Sequence, residues 1–118
     1  MLLKTEIKDC GTGVKGHMSN GCFFATIIEK VGNLDIAFLK RSIKGGPKYG
    51  VMVDTEDHEE FIKRFCELCN IGVVIYSGQK GMINTDFCCV FNQMAPIVVH
   101  IYHENYHYQL IEKMITCF

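Results

Sequence analysis

With 118 residues, 48% of them apolar and 21% charged, the chain is large enough for one buried core and too small for two, and its composition is that of a folded domain rather than a disordered one. A formal net charge of −1 with Lys and Arg scattered along the chain excludes the basic stripe of a nucleic-acid binder, no apolar run approaches the roughly 20 residues of a membrane helix, and the charges in MLLKTEIKD leave no signal-peptide core, so a cytoplasmic chain is expected. Seven cysteines, an odd number, predict free thiols in a reducing compartment, most of them small buried hydrophobes.

In chain order, a short strand is expected around Leu2 to Ile7. CGTGVKGHMSNG then carries four glycines and reads as a loop that bends repeatedly. From Cys22, the residues Phe24, Ile27, Ile28 and Val31 recur at helical spacing, with Ser19 or Asn20 as the cap. Asn33 is expected to cap a second helix that runs to about Ile43, with Leu34, Ala37 and Phe38 facing inward and GGP ending it. After the polar loop KYGVMVDTED, Asp54 or Thr55 starts a third helix with the stripe Phe61, Phe65 and Leu68, closed by Asn70 and Gly72. GVVIYS, DFCCVF, PIVVHIY and, after a HEN turn, HYQLI are short β-rich runs between turn residues. Helices first and strands afterwards predict a single α+β domain over 1–118, a mainly antiparallel sheet packed against helices.

Cys22 is singled out by its position at a helix amino terminus. Unpaired N–H groups and the positive end of the helix dipole there favour thiolate, and the same N–H groups can hold an oxyanion. A thiol nucleophile needs a base, usually histidine, and a group that orients it. His58 opens a helix and His17 lies in the glycine-rich loop; His100 and His103 flank the hairpin turn, and His107 opens the last strand. Gln109, two residues on, shares a strand face with His107 and is a candidate orienting side chain. A rival reading takes Cys66-x-x-Cys69 with Cys88-Cys89 as a zinc site; Cys66 and Cys69 fall within a helix stripe, so core packing is expected instead, with no metal and no cofactor.

SNGCFFATI, followed near the carboxyl end by IVVHIYHENYHYQLI, resembles the ovarian tumour (OTU) family of papain-like cysteine proteases. That family's motif is Asp-Gly-x-Cys-(aromatic or Leu)-(Phe/Tyr)-x-(Ala/Ser), with a later His-Tyr pair on a hydrophobic strand. KYGVMVD and FIKRFCELCNIGVVIYS follow the family's order of loop, helix and central strand, so the resemblance covers roughly residues 10 to 112. It implies Cys22 as nucleophile, His107 as general base, Ser19, Asn20 and Gly21 as the oxyanion loop, and Phe23, His103, Asn105 and Tyr108 at the substrate.

Two positions depart from the pattern. Ser19 stands where the family has Asp, with Asn20 in place of its first glycine, and Gln109 stands where cellular members carry Asp or Asn. The third catalytic member is therefore left open between Gln109, another residue and none. The short length is closer to the trimmed OTU-like proteases of RNA-virus polyproteins than to most cellular members, so a viral or otherwise minimal member is expected. The resemblance implies cleavage after the Gly-Gly end of ubiquitin or a ubiquitin-like protein. The alternatives are cleavage of the chain's own polyprotein, or an inactive module that binds ubiquitin or a host protein. Neither nucleic acid nor membrane is expected as a partner.

Overall fold

A computed structural model describes residues 1–116. The elements are β1 (Leu2–Lys8), α1 (Cys22–Val31), α2 (Ile36–Ser42), α3 (Glu59–Cys69), β2 (Ile71–Gln79), β3 (Met82–Phe91), β4 (Ile97–Glu104) and β5 (His107–Thr116). The fold is α+β, as the order of patterns predicts. Among the described residues no helix is long and apolar enough to cross a membrane.

The sheet is mixed and closes on itself in the order β1-β3-β2-β4-β5. β1 lies antiparallel to both β3 and β5, β2 is antiparallel to β3, and β4 is antiparallel to β5. Among the described residues the one parallel pair is β2 with β4, because β4 returns to the far side of β2 after the β2–β3 hairpin. That hairpin turns on Lys80 and Gly81, both at positive φ, the backbone a two-residue turn needs to match strand twist. β3 starts several residues before DFCCVF because Met82 to Asn84 pair with β1, a partner invisible to local pattern.

Alternation along the strands divides the apolar residues into two clusters. Val73, Ile75, Val99, Ile101, Tyr108 and Leu110 face the helices, where Phe23, Phe24, Phe61 and Phe65 pack edge-on or tilted against one another. Val74, Tyr76, Ile83, Tyr102 and Ile111 face the opposite way, with Leu3, Ile7 and Met114 against them. Each fully buried aromatic ring contributes roughly 1.5–3 kcal/mol. α1 carries more than a stripe: every residue from Cys22 to Ile27 is buried, so it runs through the middle of the molecule.

Three helix starts differ from expectation. α1 is capped by Gly21 with no side-chain bond, not by Ser19 or Asn20. α2 is capped by Asp35, whose carboxylate accepts the Phe38 N–H at 3.0 Å, rather than by Asn33. The later start leaves Phe38 exposed and buries Ile36 and Leu39. Asp54 caps a turn instead of α3: its Oδ1 accepts the N–H groups of Glu56 and Asp57, and its own N–H is taken by His58 Nδ1. The helix therefore waits until Glu59, and Leu68 falls on its exposed side.

Candidate active site

The glycine-rich loop before Cys22 is tied at many points. Val14 and Met18 exchange backbone hydrogen bonds, and Gly21 donates to Thr12 O at 2.7 Å. A side chain at Gly21 would meet Val14 Cγ2 at 3.0 Å and Thr12 O at 3.1 Å, so a larger residue would crowd the entry to α1. Asn20 sits at φ 54, a left-handed conformation Asn tolerates, and its Nδ2 donates to Gly50 O at 3.0 Å. The segment beyond GGP thus braces the turn that delivers the thiol.

Cys22 is fully buried. Its Sγ accepts the Tyr108 backbone N–H at 3.4 Å, which joins the first residue of α1 to the start of β5. Thr26 Oγ1 reinforces this junction, 2.8 Å from Cys22 O and 3.4 Å from Tyr108 O. Burial pushes the thiol above its ordinary pKa, opposed by the N–H groups of Tyr108, Phe23 and Cys22 itself. With no side-chain cap on α1, its first amides remain turned toward this corner. Gly21 is not among them, because its N–H is committed to Thr12 O.

His107 precedes Tyr108 and is partly exposed, with Nε2 3.1 Å from Asp9 Oδ1. Nε2 is itself shielded from solvent and makes no hydrogen bond of good geometry with that oxygen. Gly11 N–H donates to the same oxygen at 2.8 Å. That bond first, and His107 second, hold the Asp9 carboxyl below the usual carboxylate range. The placement follows from register: β1 opposes Ile7 to Ile111 and Lys8 to Leu110, and one step further brings Asp9 beside Gln109 at the His107 end. Gln109 shares the strand face with His107 as expected, yet the carboxylate at Nε2 is Asp9's.

Tyr108 and Phe23, expected to touch substrate, are buried instead. The Tyr108 ring packs between Phe23 and His103, with centroids 5.6 Å and 4.2 Å away, and its hydroxyl donates to Val53 O at 2.9 Å. It fastens the loop before α3 to β5. His103 covers it from the outside and borders a groove of about 320 Å³ that includes Thr55, Ser77, Phe87 and Cys89. Asn105 forms the exposed β4–β5 turn with Tyr106, both at positive φ. Ser19 is exposed beside Gly50. His58 caps its own turn, and His100 pairs with Tyr76.

No protein family, curated protein or solved structure matches the chain. The residues near the thiol therefore stand on their own geometry. Cys66 is buried inside α3 and Cys69 half-buried, whereas Cys88 and Cys89 are exposed on β3. Among the described residues no three metal-binding side chains converge; Cys117 lies outside them. Asp9 is the residue that sequence reading misses. Its only local signal is the Asp-x-Gly turn ending β1, which says nothing of a histidine at the other end of the chain.

Proposed function

We propose that the chain is an OTU-like cysteine protease that hydrolyses the bond after the carboxyl-terminal Gly-Gly of ubiquitin or a ubiquitin-like protein. The observation that carries this reading is the junction of α1 and β5, where the N–H following His107 meets the Cys22 thiol. In this reading a proton on His107 Nε2 faces the Asp9 carboxylate, 3.1 Å away, which leaves Nδ1 as the nitrogen that accepts a proton. In this mechanism His107 removes the Cys22 proton and the thiolate attacks the carbonyl carbon. The oxyanion rests on the amides at the α1 amino terminus. His107 then protonates the departing amine as the C–N bond breaks, and water hydrolyses the thioester.

A second reading is favoured by one observation: the thiol is wholly buried and its pKa raised. An inactive module that binds ubiquitin without cleaving it would keep such a cysteine as a core residue. Turnover of a ubiquitin carboxyl-terminal fluorogenic amide distinguishes the two. The protease reading expects hydrolysis that disappears in Cys22→Ala and His107→Ala. Ubiquitin binding without turnover by folded wild-type protein supports the inactive module, and cleavage only of short peptides supports a polyprotein protease.

A further inference from the structure

We infer that neutral His17 is a positioning residue for Cys22, locking the thiol-bearing turn to α2 and to the loop 48–53, and that protonation of His17 releases the lock. This rests on the reading of Cys22 as the nucleophile.

His17 is wholly buried and both ring nitrogens are engaged. Nε2 lies 2.8 Å from Val51 O and Nδ1 2.8 Å from Lys40 Nζ. These partners fix the tautomer: a carbonyl only accepts and an ammonium only donates, so Nε2 carries the proton and Nδ1 offers its lone pair. The ring meets Phe24 edge-on, with centroids 5.0 Å apart, and Phe24 is two residues beyond Cys22. Backbone contacts run the same way, with Gly50 N–H donating to His17 O at 2.8 Å and Asn20 Nδ2 donating to Gly50 O. One imidazole thus joins α1, α2, the glycine-rich turn and the bracing loop.

An imidazolium cannot accept from Lys40, and it would put two cations 2.8 Å apart in a partly buried place. From α2 the ring faces Lys40; from the bracing loop it faces the Val51 carbonyl, with the Tyr49 ring beneath Lys40 Nζ at 5.6 Å; from α1 it faces only Phe24. No carboxylate on these elements contacts the ring. Burial first, and Lys40 last, hold His17 below the ordinary histidine pKa against the pull of the Val51 carbonyl. A depressed base is neutral in the fold while the unfolded chain already binds protons, so the lock is present above the ordinary histidine range and lost as pH falls through the folded value.

The test compares wild type, His17→Ala, His17→Gln and Lys40→Met. Glutamine offers one N–H to Val51 and one oxygen to Lys40 and does not titrate. NMR follows the His17 ring and the Gly21 and Cys22 amides against pH in folded protein; adduct formation with a ubiquitin carboxyl-terminal electrophile is followed in parallel. Expected are a His17 titration below the ordinary range, amide shifts that track it and vanish in His17→Gln, and adduct rates reduced on the order of tenfold or more in His17→Ala and Lys40→Met. His17→Gln should restore most of the lost rate. An ordinary His17 titration, amides that ignore it, or His17→Ala reacting as wild type would overturn the inference. If wild type forms no adduct, the protease reading fails, and the amide titration alone decides whether His17 positions the Cys22 turn.

Discussion

Asp9 shows what a single carboxylate contributes at the junction. Replacing it with Ala removes the carboxylate 3.1 Å from His107 Nε2, and turnover is expected to fall on the order of tenfold or more, whereas Gln109→Ala should cost less; kcat/KM of both variants checks this. Because Asp9 is held below the usual carboxylate range by Gly11 and His107, its charge persists until pH falls below the ordinary Asp value near 3.9. An acid limb of activity near neutrality must therefore come from a histidine, and it should survive in whatever activity Asp9→Asn retains. Tyr108→Phe tests the other side of the corner. It leaves the Val53 carbonyl without its donor, so stability should drop by about 1–3 kcal/mol, read by urea denaturation. Cys22 stands out in the sequence by its place before an apolar helix, whereas His107 is one of five histidines that only the family resemblance singles out. Asp9 does not stand out at all, because only the β1–β5 register brings it there.

The strands of the carboxyl-terminal half could be read from their β-branched runs bounded by turn residues, a signal each strand carries alone. Sheet closure could not. It depends on β1 pairing with β3 and β5, contacts between opposite ends of the chain. Helix starts were misplaced wherever several polar residues competed to cap, as Asn33 and Asp35 do, and local sequence does not decide which side chain reaches a free amide. The β2 irregularity between Tyr76 and Gly78 is a feature that only packing explains. A side chain at Gly78 would lie 2.1 Å from the Tyr102 ring, whose hydroxyl donates to Glu104 and accepts from Gly81 N–H. Gly78→Ala should therefore destabilise the closed sheet by roughly 1–3 kcal/mol or more, measured by thermal unfolding, while Gly81→Ala meets no neighbouring atom and loses only through its positive φ.

The whole molecule arranges its thiols by environment rather than by count. Burial pushes the Cys66 thiol up to about 12, while Cys88 and Cys89 are exposed. Peptide-resolved alkylation of native protein near pH 8 should label Cys88 and Cys89 and spare Cys66; rapid labelling of Cys66 would mean that the helix layer opens. Cys22 differs from Cys66 in having amides and a histidine-bearing strand at its sulfur, which is the whole case for chemistry at that corner. The most direct measurement is the intact mass of the protein after incubation with ubiquitin carrying a thiol-reactive carboxyl-terminal electrophile, followed by mapping of the modified residue. A single adduct on Cys22, absent in Cys22→Ala and slowed in His107→Ala, is the predicted result. Folded protein that forms no adduct, or forms one on Cys88 or Cys89, would contradict the assignment of Cys22 as a ubiquitin-directed nucleophile.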